Sequence, residues 1–237
     1  MFHWLEKNPF AFALGVFVTI AFAGLIEIIP NFAASARPII GTKPYTTLEL
    51  AGRHVYIKNS CNACHSQLIR PFKSETDRYG DYSLSGEYAY DRPFLWGSKR
   101  TGPDLMRVGN YRTTDWHEAH MWDPEKVVPG TIMPAYRWMY VNNTDIDTAY
   151  AEMITVKKFF NTPYNEPIPM KDGTTTVVKM AWDEEKNKPD LHEARKMALA
   201  EAKEIVKDMK NQDVIDAVEV GRIPEIVALI AYMNSLK

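Results

Sequence analysis

Cys61-Asn62-Ala63-Cys64-His65 holds both cysteines of the chain in a C-x-x-C-H run. Such a run is the attachment signature of a c-type haem. The spacing has a mechanical reason: two thiols must add across two vinyl groups of one porphyrin, and the next residue must set an imidazole under the iron. Sulfurs three positions apart on one helical turn meet both demands. Other uses of paired cysteines fit less well. A thioredoxin-like C-x-x-C needs a βαβ setting, whereas helical sequence and a greasy N-terminal run surround this one. A structural zinc needs four ligands, usually with further cysteines, and there is no third cysteine. The expectation is one covalent haem c on Cys61 and Cys64, with His65 as an axial ligand of its iron.

Working upstream, Tyr45 to Ile57 reads as a helix with Thr46 or Thr47 as its N-cap. Gly52 and Tyr56 fall four apart on one face, with Cys61 a few residues beyond. At the far end, Pro224 to Leu236 reads as a second helix with Pro224 in its first turn and a stripe of Ile226, Val227, Ile230 and Met233. A glycine that lets the C-terminal helix approach closely, with Tyr56 and Tyr232 packing beside it, resembles the class I cytochrome c fold. Thr101-Gly102-Pro103-Asp104-Leu105 resembles it too. In that fold the proline carbonyl accepts the N–H of the proximal histidine and orients its ring, which gives Pro103 that role for His65.

A second axial ligand is usually Met or His. Met133 lies in Pro129-Gly130-Thr131-Ile132-Met133-Pro134, where two prolines and a glycine make a stiff, non-helical loop. That loop suits a ligand arriving from the opposite side of the haem. Met197, Met209 and Met233 fall on helical patterns and read as filler, and Met106 follows Pro103 too closely to cross the haem. His117 and His120 are the rivals to Met133, which is the favoured choice. Methionine would raise the reduction potential above that of a bis-histidine haem.

The chain has 237 residues, 46 % of them hydrophobic and 24 % charged, so it is neither disordered nor fibrous. A net charge of −2 leaves no basic excess for nucleic acid. Much of the greasiness sits in Pro9–Ile29, 21 residues with Glu27 as their one charge. As a helix this run spans about 31 Å, enough for a bilayer core, and it exceeds the ~7–15 apolar residues of a cleaved signal peptide. It therefore reads as an uncleaved anchor, closed by Pro30, with Glu27 at the interface. Lys7 and Arg37 flank the two ends and do little to orient it.

Longer stretches support a resemblance to one family: His65-Ser66-Gln67-Leu68-Ile69-Arg70-Pro71-Phe72, Glu75 to Gly80, Asp91-Arg92-Pro93-Phe94-Leu95-Trp96-Gly97-Ser98-Lys99-Arg100 into Thr101–Leu105, Trp116-His117 to Val127-Val128-Pro129, and Met133-Pro134. Over residues 9–161 and the final helix the chain resembles the membrane-anchored mono-haem subunit of cbb₃-type cytochrome c oxidases. The resemblance implies a mainly α protein: one N-terminal transmembrane helix, then a class I cytochrome c-like domain with long loops and a helical insertion. The domains would be 1–36, tail and anchor, and 37–237, the extracytoplasmic haem domain. The chain would receive electrons from a dihaem cytochrome c subunit and pass them to a haem–copper catalytic subunit, with no oxygen-reducing site of its own. Covalent haem attachment outside the bacterial cytoplasmic membrane implies a periplasmic haem domain and a cytoplasmic N-terminus. A calcium ion at the contact with the catalytic subunit is also implied, with Ser98 as one contributor and Arg53 nearby. The abundance of Tyr, Trp and Arg between Ser66 and Tyr140 fits an extensive partner interface.

Residues 163–222 depart from the family pattern as a lengthened region. A hairpin is expected around Asp172-Gly173, then a helix from Asp190 to Lys210 with a capping box of Asp190 and Glu193 and a narrow face of Ala194, Ala198, Ala202, Ile205 and Met209. Residues 183–213 hold 9 acidic and 7 basic side chains of 31, which reads as a solvated surface. Rival readings are the mono-haem anchored subunit of nitric oxide reductase, a free membrane-tethered cytochrome shuttle, and a purely structural haem subunit.

Overall fold

A computed structural model describes residues 3–33, 38–97, 99–183, 185 and 187–237. The chain forms two compact units, Met1–Ala36 and Arg37–Lys237.

In the first unit, α1 (His3–Lys7) leads into α2 (Pro9–Ala33). Within α2, Pro9–Ile29 has a mean hydropathy of 2.4 and is long and apolar enough to cross a membrane. Its large side chains are exposed all round, from Phe10 through Phe17 and Phe22 to Ile29, a pattern that suits lipid rather than a protein core. The helix runs through Pro30 to Ala33 instead of stopping at the proline. A proline so close to the end removes one hydrogen bond, to the carbonyl of Ile26, and leaves the rest of the ladder intact.

The second unit is mainly helical. Its order is α3 (Thr47–Lys58), α4 (Cys61–Cys64), α5 (Lys73–Tyr79), α6 (Thr114–Trp122), α7 (Pro124–Val127), α8 (Ile146–Phe160), α9 (Leu191–Val206), α10 (Gln212–Glu219) and α11 (Glu225–Ser235). Thr46 caps α3 in a full capping box: its hydroxyl accepts from Glu49 N at 3.1 Å, and the Glu49 carboxylate accepts from Thr46 N at 2.8 Å. The helices α3 and α11 cross at Gly52, where a Cβ would lie 1.8 Å from the carbonyl oxygen of Ala228 and 2.9 Å from Cβ of Tyr232. Tyr232 fills the crossing, its ring edge-on to Tyr56 and to Tyr45, each at 5.6 Å. Every residue of α11 from Glu225 to Met233 is buried, so the expected stripe is in fact the whole circumference. The reason lies outside the helix: α3, α6 and α9 and the single turns Val108–Asn110 and Arg137–Tyr140 all pack on α11.

The lengthened region begins with two small antiparallel pairs. The strands β1 (Pro167–Pro169) and β2 (Thr175–Val177) close around Gly173 at φ +80°, with Ile168 opposite Thr176. The second pair is β3 (Trp182–Asp183) with β4 (Lys188–Pro189). The next helix, α9, turns Ala194, Ala198, Ala202 and Val206 inward against α3, α8 and α11. The region therefore helps build the core, and the solvated reading holds only for the outward face of α9. Small side chains every fourth residue let α9 approach closely, which a count of charges does not reveal. Asp190 caps α9 through His192 N and Glu193 N. The reciprocal half of the expected capping box is replaced by a tertiary bond, since Asp190 N donates to Tyr150 Oη at 3.1 Å.

Candidate haem-binding cavity

The α3 helix ends at Lys58, and Ser60 enters the left-handed region at φ +55°. That reversal starts α4, a single turn carrying Cys61 and Cys64, whose thiols are unbridged. The His65 N–H closes the turn on Cys61 O at 2.9 Å. The Cys64 carbonyl accepts from Thr101 N at 3.1 Å and from Gly102 N at 3.0 Å, which lays the Gly-Pro loop against the histidine. There His65 Nδ1 stands 2.9 Å from the carbonyl oxygen of Pro103. A ring N–H donated to that acceptor leaves Nε2 as the free lone pair. Burial lowers the His65 pKa, opposed by the Pro103 carbonyl and the Asp104 carboxylate, and burial pushes the Cys61 thiol up to about 12.

The residues after His65 are held from several sides. Tyr56 Oη donates to His65 O at 2.9 Å. Tyr88 Oη donates to Gln67 O and Tyr232 Oη to Gln67 Oε1, both at 2.8 Å. Ser66 Oγ accepts from Gly97 N at 3.0 Å, and Leu105 N donates to Ser66 O at 2.9 Å. Asp104 accepts from Leu68 N at 3.0 Å and Met106 N at 2.8 Å while pairing with Arg100 at 3.1 Å. Arg100 also binds Glu75 at 2.9 Å, and the two arginines on Glu75, Arg100 and Arg70, hold its carboxyl down to about 2. Sequence reading singled out Pro103 and missed Asp104 beside it, the residue that ties the proline loop to the chain after His65.

Together these segments enclose a cavity of about 510 Å³. Cys61, Cys64, His65, Gly102 and Pro103 line it, with Leu105, Val108, Leu229 and other apolar groups. Arg78, Arg112, Tyr79, Tyr111 and Trp116 bring cationic and aromatic character, and among the described residues no Asp or Glu lines the cavity. The lining thus offers two thiols, an oriented imidazole, apolar walls and positive charge stacked on aromatic rings, with no carboxylate lining the cavity among the described residues. A haem supplies the complement: two vinyl groups, one iron, a flat apolar ring and two propionate carboxylates. The residues fit the group.

Met133 lines the cavity from the loop between Val128 and Tyr136, half-buried. Tyr136 N donates to Met121 O at 2.9 Å and Thr131 Oγ1 accepts from Met133 N at 3.2 Å, so the loop is fastened to α6 and braced internally. The rivals His117 and His120 line the same cavity. Met233, expected as filler, lines it too, as does Met121; both are buried on helices. Residues 116, 117, 120 and 121 of α6 form one helical face, and that i, i+1, i+4, i+5 pattern was the signal available in the sequence. Ser98 lies outside the described residues. Arg53 is buried, donating to the carbonyls of Arg92, at 2.7 Å, and Pro93. Among the described residues no group of three His, Cys, Asp or Glu is placed to hold a metal ion.

A family model described as "Cytochrome C oxidase, mono-heme subunit/FixO" matches residues 2–237. Comparison with curated proteins finds no match.

Proposed function

The chain belongs to the mono-haem subunit family of cytochrome c oxidases, and from that premise we propose that it relays single electrons through one haem c to a haem–copper catalytic subunit. The haem would be bound covalently by Cys61 and Cys64, with His65 and Met133 as its axial ligands. When bound, it supplies a one-electron ferric/ferrous couple. The Pro103 carbonyl holds the His65 imidazole by its Nδ1–H and makes Nε2 a better donor. The Met133 thioether, a weak donor, would favour the ferrous state of a bound haem. The apolar lining would keep water from a bound ring, which would also disfavour the more charged ferric state.

The observation that supports this most directly is the 2.9 Å approach of His65 Nδ1 to Pro103 O beside two free thiols, in a cavity that no acid among the described residues lines. The test is an intact mass and a pyridine haemochrome spectrum of the full chain. One covalently added haem is the expected result; a mass equal to the bare polypeptide would refute the reading. Gentle solubilisation should then give a haem-stained band that comigrates with haem b and copper. A band migrating alone would favour a free shuttle.

The same reading makes 1–36 the tail and anchor and 37–237 a periplasmic domain, with the N-terminus in the cytoplasm of a bacterium. A dihaem cytochrome c subunit would deliver the electrons. Calcium at the contact with the catalytic subunit belongs to this reading as well. Ser98 would contribute one oxygen; a lone hydroxyl is a poor Ca²⁺ ligand, so the partner and the propionates would supply most of the others.

Met133→Leu removes the proposed sixth ligand while keeping a similar volume. The haem should stay covalently attached and lose its six-coordinate low-spin spectrum. The ferrous/ferric equilibrium should move at least about tenfold toward ferric in a redox titration. An unchanged spectrum and potential would transfer the ligand role to another residue.

A further inference from the structure

The α6 helix carries three unpaired buried polar atoms on two residues that line the haem cavity. His117 is 1 % exposed, and among the described residues neither its Nδ1 nor its Nε2 has a hydrogen-bond partner; the buried Nδ1 of His120 has none there either. Buried polar groups in native proteins are almost always satisfied, and leaving one unsatisfied costs about 1–3 kcal/mol. Three on one helical face, on residues that line the cavity, therefore point to a missing partner there. A partner for the N–H groups must accept hydrogen bonds, since each neutral imidazole has one N–H to donate; the second His117 nitrogen is an acceptor, which such a partner leaves unpaired. It should also be anionic: Arg112 lies on the Trp116 ring at 4.3 Å, His120 stacks on the same ring at 4.5 Å and 20°, and among the described residues no acidic side chain lines the cavity.

We propose that His117 and His120, with Arg112, form the propionate-holding face of the cavity, the imidazole N–H groups donating to the carboxylates of the bound haem. The proposal rests on the haem reading above and adds to it a positioning role for α6. A propionate that loses such a donor presents more of its negative charge to the iron, which favours the ferric state.

The test uses the full chain carrying its covalent haem. His117→Phe removes the donor and keeps a ring; His117→Gln keeps an N–H. With His117→Phe the ferrous/ferric equilibrium should shift about tenfold toward ferric, 59 mV for a one-electron couple, and the propionate bending band in resonance Raman should move. With His117→Gln both should stay near the wild-type values. The far-red methionine–ferric charge-transfer band should persist in both variants. Equal shifts in the two variants, or none, would overturn the proposal in favour of simple packing or a buried water. Loss of the sixth ligand in His117→Phe would overturn it in favour of iron ligation. If His117→Phe fails to fold, His120→Phe, at the less buried position, is read in the same way. The wild-type Raman spectrum gives a check without substitution: a propionate band at the frequency of a free haem peptide would also overturn the proposal. A wild-type chain without covalent haem would defeat the underlying reading, a result distinguishable by mass alone.

Discussion

Replacing Gly52 with valine should leave no folded haem domain. At the crossing of α3 and α11 even a single Cβ would sit 1.8 Å from Ala228 O, 2.5 Å from Ala228 C and 2.9 Å from Tyr232 Cβ. Two of these are backbone atoms of a helix packed from every side, so neither partner can give way cheaply. Overpacking a core with a methylene or two usually costs about 1–3 kcal/mol. Here the helices themselves must separate, which would also dismantle the contacts of Tyr232 with Tyr45, Tyr56 and Gln67. A domain with about 5–15 kcal/mol of total stability does not withstand valine at that point. Gly52→Ala should survive only marginally, losing about 3 kcal/mol or more. Circular dichroism melts and haem content of the full chain would measure both variants. An alanine variant with a wild-type melting temperature would show that the helices do not cross at Gly52.

That crossing was legible in the sequence because its determinants are local and steric. Gly52 and Tyr56 share a helix face, and a C-terminal helix with Tyr232 needs a place to lie. The C-x-x-C-H run and the Gly-Pro loop were legible for a similar reason: each fixes a distance within a few residues. What escaped depends on distant partners. Nothing within Glu225–Ser235 says that α3, α6 and α9 will surround it, so the sequence predicts a stripe where every residue from Glu225 to Met233 is buried. The alanines of α9 were visible, but the charges around them suggested a solvated surface, and only the position of α9 against α3 and α8 shows their purpose. Asp104 sat beside a recognised proline, yet its bonds reach back to Leu68 and Arg100. Glu193 was matched to a capping pattern, but Tyr150, forty residues upstream of Asp190, takes the backbone N–H that pattern assigns to Glu193.

Gly102→Ala should separate haem attachment from haem ligation. A Cβ on Gly102 would fall 2.2 Å from Cε1, 2.7 Å from Nδ1 and 2.8 Å from Nε2 of His65, all atoms of one ring. The glycine cannot simply retreat, because its N–H is bonded to Cys64 O at 3.0 Å and the next residue supplies the Pro103 carbonyl. The imidazole must therefore swing away and give up its bond to Pro103. The two thiols are untouched, so the mass of the chain should still include one haem. The iron should lose a well-placed proximal ligand, converting most of the low-spin signal to high-spin or mixed-spin signal in optical and paramagnetic resonance spectra. Gly130→Ala provides the contrast. Gly130 sits at φ +79° with open space around its would-be Cβ, so its substitution strains the backbone by about 1 kcal/mol and should leave the ligation of His65 unchanged. If alanine at 102 gives the wild-type low-spin spectrum, His65 is not held against that loop, and the Pro103 carbonyl cannot be what orients it.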